Sequence, residues 1–96
     1  MRIDMIAFTQ QGYRLGQKLE RILNDEGEQA RLACGFGKEK QPLSQWCQRA
    51  FSESDALLFI GAAGIAVRAA APYLVSKTTD PAVLSLDDTA RFCIPL

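Results

Sequence analysis

The chain has 96 residues, 48% of them hydrophobic, and its eleven lysines and arginines balance eleven aspartates and glutamates. That length holds one small domain, and the interspersed charges leave no basic stripe for nucleic acid and no charged tail for a membrane surface. Histidine is absent, which excludes Ser–His and Cys–His pairs within the chain and leaves any general base to a carboxylate, lysine, tyrosine or cysteine. Cys34, Cys47 and Cys93 form no CxxC pair and read as reduced, mostly buried thiols of a cytoplasmic protein. Asp4 and the polar residues after Thr9 break any signal-peptide pattern, and no segment approaches the length of a membrane span.

Ile3 to Phe8 reads as the first strand, and Thr9 as the N-cap of a helix whose apolar face carries Gly12, Leu15, Leu19, Ile22 and Leu23. Gly16 costs that helix about 1 kcal/mol against alanine and is expected to let it sit close to a sheet. Asn24 to Gly27 ends it. Glu28 to Cys34 is the second strand, Gly35 to Gln41 a polar loop, and Pro42 the opening of a second helix. Leu43, Trp46, Cys47, Ala50 and Phe51 then repeat at helical spacing, which makes Trp46 a core residue.

The central stretch runs from Asp55 to Tyr73. Its continuous apolar run, Ala56 to Ile60, suits a parallel strand buried on both faces, and Gly61-Ala62-Ala63-Gly64 then turns into a helix over Ile65 to Ala71. Pro72 kinks or restarts the chain, Val75 to Pro81 is a polar loop, and Ala82 to Leu86 is the fourth strand. Asp87 to Ala90 reads as a hairpin turn into a last strand, Arg91 to Leu96. Alternating strands and helices predict a three-layer, Rossmann-like α/β domain, with a mainly parallel sheet, helices on both faces and a C-terminal β-hairpin.

In such a sheet, ligands gather beyond the carboxyl ends of the strands. Thr9 to Gly12, Gly61 to Arg68 and, if it folds back over that edge, Lys77 to Pro81 are expected to meet there. They offer hydroxyls (Thr9, Thr78, Thr79), the amides of a helix N-terminus, two cations (Arg68, Lys77) and one carboxylate (Asp80), a set suited to an anionic ligand. Each has a plainer explanation. Thr9 can simply cap its helix, Arg68 can be a solvated helix charge, and Asp80 before Pro81 is a common turn pair. Asp87 and Asp88 read as turn residues rather than an acid–base pair. Gly35-Phe36-Gly37-Lys38 lacks the spacing of a phosphate loop, and Gly61 opens no dinucleotide fingerprint.

Asp55-Ala56-Leu57, Phe59-Ile60-Gly61-Ala62-Ala63-Gly64-Ile65-Ala66-Val67-Arg68, Ala71-Pro72-Tyr73-Leu74, Lys77-Thr78-Thr79-Asp80-Pro81-Ala82-Val83, Asp87-Asp88, Arg91-Phe92 and Ile94-Pro95-Leu96 together resemble the amino-terminal domain of the CbiG family. Ile6-Ala7-Phe8-Thr9 with Gly12 is similar to that family's opening strand and turn. The family is that of cobalt-precorrin-5A hydrolase, in anaerobic cobalamin biosynthesis. The resemblance implies a reaction in which water opens a ring lactone and acetaldehyde leaves. It also implies an anionic tetrapyrrole partner and no cofactor of the protein's own, since cobalt would belong to the substrate.

Substrate binding is then expected at Thr9, Gly61, Ala62, Ala63, Gly64, Ile65, Arg68, Lys77, Thr78 and Thr79, with Asp80 as the catalytic nominee. Family members commonly carry a basic residue where this chain has Thr78, and they continue through a Ser-Gly-His turn into a second domain. Residues 1–96 are therefore read as a single domain of that family without its following part, a substrate-binding fragment whose own activity is open. Two other readings stay open: an interaction module, pairing as a homodimer through its apolar last strand, and a generic nucleotide- or anion-binding domain.

Overall fold

The computed structural model describes residues 1–61, 63–74 and 80–96, and of residues 63 and 64 the backbone alone. In chain order the elements are β1 (Arg2–Ala7), α1 (Gln10–Asp25), β2 (Gln29–Cys34), α2 (Leu43–Glu53), β3 (Ala56–Ile60), α3 (Ala63–Ala70), a 3-10 turn (Ala71–Tyr73), β4 (Ala82–Leu86) and β5 (Cys93–Pro95). The strands form one sheet in the order β2-β1-β3-β4-β5, parallel except for the antiparallel β4–β5 hairpin. This is the expected α/β architecture.

The middle strand is β3, and its apolar run is buried because helices cover both of its faces. On one face Leu57 and Phe59 pack with Ile6, Val83, Ala66, Ala70 and the α2 residues Trp46, Cys47 and Ala50. Trp46 meets Phe59 edge-to-face, with ring centroids 5.4 Å apart. Its indole Nε1 is buried without a hydrogen-bond partner among the described residues. On the other face α1 comes so close that a Cβ on Gly16 would lie 2.6 Å from Leu32 Cδ1. The close approach expected of Gly16 is therefore present.

The expected apolar face of α1 needs one correction. Ile22 is 55% exposed. Glu20 and Asn24, one turn apart, face the outer edge of β2, and Ile22, two residues from each, is turned to solvent. The Asn24 side chain donates to Ala30 O (3.2 Å) and accepts from Ala30 N (2.9 Å), and Glu20 accepts from Leu32 N (3.0 Å). Backbone groups that an edge strand would otherwise present to other chains are thus bonded by a helix of the same domain.

The opposite edge is blunted differently. Leu96 N donates to Val83 O (2.8 Å) and Asp87 N to Phe92 O (3.1 Å), so alternation turns the backbone groups of Ile94 inward and those of Cys93 and Pro95 outward. Proline has no N–H, which leaves Cys93 with the outward amide of β5.

Burial under α2 pushes the Cys47 thiol from 9.0 up to about 11. In the unfolded chain the thiol ionises first as pH rises, so the stability contributed by the neutral buried thiol is complete below pH 9 and lost as pH approaches 11. Urea midpoints should fall over that interval in the wild type and fall less in Cys47→Ala. Of the three thiols expected to be mostly buried, Cys47 alone is; Cys34 is half-buried and Cys93, on the edge strand β5, is exposed, so iodoacetamide at neutral pH should label Cys93 and spare Cys47 until denaturant is added. Equal labelling of the two in the folded protein would show that α2 opens readily.

Candidate functional site

Strand β1 is followed by α1 on one face of the sheet, and its neighbour β3 by α3 on the other. The chain direction diverges between these two strands, and the N-termini of both helices stand at their carboxyl ends. A crevice at such a divergence collects ligands in open α/β sheets.

On the β1 side, Thr9 has the extended backbone of an N-cap, φ −136° and ψ 161°, and its Oγ1 accepts from Gly12 N at 2.9 Å. The same hydroxyl donates to Asp88 Oδ2 at 3.2 Å. Gly12 is packed so tightly that a Cβ there would lie 3.1 Å from Ile60 Cγ2 and from Thr9 Oγ1, and 3.4 Å from Asp88 Cβ. Residues following β1 and β4 therefore meet the last residue of β3 at one point.

On the β3 side, Gly61 N donates to Leu86 O at 2.8 Å, so this amide extends the sheet ladder and is not available to a ligand. Gly61 is required by a neighbour instead. The half-buried Phe8 ring lies between Gly35 and Gly61, where added Cβ atoms would stand 2.8 Å and 3.2 Å from it. Among the described residues, further donors on this side are the first-turn amides of α3, which begins at Ala63 and runs through Gly64 and half-buried Ile65; such amides have no carbonyl partner within their helix. Ala62 lies outside the described residues.

Arg68 is exposed and falls in the last turn of α3, where a cation complements the carbonyl end of the helix. Its reach to an anion at the first turn rests on a long side chain rather than on position. Lys77, Thr78 and Thr79 lie outside the described residues. Asp80 precedes β4, and two residues on, Ala82 N donates to Asp55 O (3.0 Å) at the amino end of β3. Asp80 thus stands at the opposite edge of the sheet from Gly61, about 16 Å away along a five-residue strand. The structure brings Thr9 and the start of α3 to one edge and does not bring Asp80 there.

The carboxylates that follow β4 are Asp87 and Asp88. Hydrogen bonds from the Thr89 hydroxyl and, at 2.7 Å, from Phe92 N hold the Asp87 carboxyl below the usual range near 3.8. Its contribution to the turn is present above that range and is lost as pH falls through the depressed value. Asp87 is the turn residue expected from the sequence. Asp88 lies in that turn as expected, and its side chain also faces Thr9. The available clue was its place just past a parallel strand, at the edge where ligands collect.

A second charged cluster lies away from the crevice. Asp4, 2% exposed, accepts from the Ser54 hydroxyl and from Arg31 (3.2 Å), with Arg49 at 3.8 Å; Glu53 pairs with both arginines. Every charge in it is matched within the fold, and it fastens the end of α2 to β1 and β2. An open groove at the amino edge is lined by Arg2, Asn24, Glu28 and Arg31, and Glu28 pairs there with the N-terminal ammonium at 2.9 Å. Among the described residues, no cluster of acidic, cysteine or histidine side chains is placed to hold a metal ion, and no helix is long and apolar enough to cross a membrane.

The sheet order, the divergence between β1 and β3 and the two helix N-termini define a doubly wound α/β domain of the kind that holds small ligands at that crevice. The chain belongs to the family described as Cobalamin synthesis G N-terminal, whose sequence profile matches residues 45–96, from within α2 through β5. It is 47% identical over 49 residues to cobalt-precorrin-5A hydrolase of Salmonella typhimurium strain LT2, a match covering 51% of this chain and 14% of that protein. A crystal structure of a cobalamin biosynthesis protein G homolog from Sulfolobus solfataricus superposes on 98% of this chain and 28% of its own, with a TM-score of 0.82 and 23% identity. That similarity shows the same fold. Either way, the domain corresponds to a minor part of the longer protein it matches.

Proposed function

We propose that the domain binds the carboxylated ring of a cobalt-precorrin at the crevice between β1 and β3, as the amino-terminal part of the machinery that opens the ring lactone of cobalt-precorrin-5A and releases acetaldehyde. The observation that carries this reading is the family match over residues 45–96, which spans the β3-to-α3 turn. The acetate and propionate arms of the ring are anions, and helix N-termini favour anions through free amides and the helix dipole. Ala62, Ala63, Gly64 and Ile65 would meet an arm at the start of α3, with Lys77, Thr78 and Thr79 as further proposed contacts. Catalysis by Asp80 is harder to reconcile with its place at the other edge. Self-association through β5 is the weaker partner reading, because Pro95 removes an outward donor from that strand.

Arg68 supplies the test. If its guanidinium reaches a bound arm, Arg68→Ala should weaken the binding of a carboxylated corrinoid by about 1–3 kcal/mol, as for hydrogen bonds to charged groups. The melting temperature should change little, because an exposed helix arginine contributes little to folding. Arg68→Lys should recover part of the affinity, since a point charge cannot reproduce a forked contact. Titration calorimetry with melting curves alongside separates the outcomes. Unchanged affinity in Arg68→Ala removes this residue from the site, and no binding by the wild type removes the tetrapyrrole reading.

A further inference from the structure

The two faces of the sheet are not equally covered. Met5, Leu58, Leu84 and Pro95 stand in register across β1, β3, β4 and β5, on the face that α1 packs against. Exposure rises along that row: Met5 is 0% exposed, Leu58 and Leu84 are half-buried, and Pro95 is exposed. The neighbouring row ends the same way, on half-buried Leu86 and exposed Cys93. The cause is the place of α1, which lies mainly over β2 and β1 and meets β3 at Ile60, while α2 and α3 pack on the opposite face. Glu20 and Asn24 turn one flank of α1 to β2. The other flank carries half-buried Leu15 and Leu19 and exposed Ile22, and it faces the β3–β5 side. It walls an apolar trough floored by Leu58, Leu84 and Leu86. A sheet surface that meets water alternates its apolar face with a polar one, and the residues of β4 and β5 on this side are all apolar.

We infer that this trough is the docking site of one amphipathic helix, supplied by the polypeptide that makes up the rest of the longer proteins containing this domain. A helix fits its dimensions. From β3 to β5 are two strand intervals, about 10 Å, which is the width of one helix and the usual distance between neighbouring helix axes. The five-residue strands make the floor about 16 Å long, so about 11 helical residues cross it. The source follows from two observations. The domain accounts for 28% of the Sulfolobus chain whose fold it shares, so most of such a protein lies outside it. A second copy of this domain is the poorer occupant, because the exposed residues of α2 are polar and Arg14, Lys18 and Arg21 are exposed along α1. Twofold pairing of two troughs would bring those like charges together at the rim. The same Lys18 favours an incoming helix with acidic residues on its flank.

The test uses the whole 96-residue chain and labelled, overlapping peptides that cover the Salmonella protein outside the matched segment, each long enough for about five helical turns. Ile22→Glu places a charge on the trough wall at an exposed position, where folding is spared, and Val67→Glu does the same on the exposed side of α3 as a control. Fluorescence anisotropy should find an amphipathic peptide with an acidic flank that binds the wild type, turns helical on binding and raises the melting temperature of the chain. Ile22→Glu should weaken that binding about tenfold or more, since its charge would be buried in an apolar contact, and Val67→Glu should leave it unchanged. Lys18→Glu should weaken it less, with a loss that shrinks as salt is raised. Sedimentation of the chain alone covers the rival occupant: a wild-type dimer that Ile22→Glu converts to a monomer would put a second copy on this face and overturn the inference. So would the failure of every peptide to bind, or binding that Ile22→Glu and Val67→Glu weaken alike. The tetrapyrrole reading survives any of these results, because its crevice lies at the carboxyl edge of the sheet.

Discussion

Trp46→Ala should lower the unfolding free energy by about 3–5 kcal/mol, the range for truncating a large buried aromatic. Trp46 is 1% exposed, packs edge-to-face on Phe59 and sits in the cluster that joins α2 to β1, β3 and α3. Small domains are held by roughly 5–15 kcal/mol in all, so the loss should leave a measurable unfolded fraction at room temperature. Trp46→Phe is the informative control. It keeps most of the ring contact and removes an indole N–H that has no partner among the described residues, so its cost should stay below about 1.5 kcal/mol. The check is urea unfolding followed by circular dichroism, because Trp46 is the sole tryptophan and fluorescence would be lost with it. Equal losses in the two variants would mean that the N–H is bonded and that its loss matters more than the cavity.

Asp4→Ala should cost about 2–4 kcal/mol. Breaking a buried ion pair typically costs 3–5 kcal/mol, and the figure is discounted here because Arg31 and Arg49 are 51% and 38% exposed and can turn to water or Glu53. The Ser54 hydroxyl, 9% exposed, is stranded as well. Replacing the buried pair together, Asp4→Leu with Ser54→Ala, should recover part of the loss, since an apolar filling removes the desolvation cost of the carboxylate. Chemical denaturation of the three proteins measures both effects. A cost under 0.5 kcal/mol for Asp4→Ala would show that solvent reaches Asp4 and that the cluster is a surface network.

The crevice was partly legible from local pattern. Thr9 caps α1 because a hydroxyl one residue before a helix can reach its third amide, and that relation needs no tertiary information. Gly61 was legible as a special position, but for a different reason from the one expected. It was expected to admit a ligand, and in the fold it admits Phe8, a residue 53 positions earlier in the chain. Gly35 does the same from β2. A glycine's neighbours through space do not appear in the residues beside it, so the purpose of a glycine is harder to read than its presence.

Asp80 and Asp88 make the same point about carboxylates. Both lie in polar turns and look alike as strings of residues. Which edge of the sheet each occupies depends on strand direction: Asp80 precedes β4 and Asp88 follows it, so a parallel β4 sends them to opposite ends.

What the residues determined alone was the order of elements, the buried β3 run, the helical face of Trp46, Cys47 and Ala50, the closing hairpin and the family resemblance. All of these are carried by periodicities of two or 3.6 residues, or by motifs contiguous in the chain. Tertiary structure alone decided the pairing of Thr9 with Asp88 across 79 positions, the burial of Asp4 between two arginines and the bonding of β2's outer edge by Asn24 and Glu20. Those contacts join segments that meet only once the sheet has assembled, and their partners are set by register and crossover rather than by any spacing along the chain.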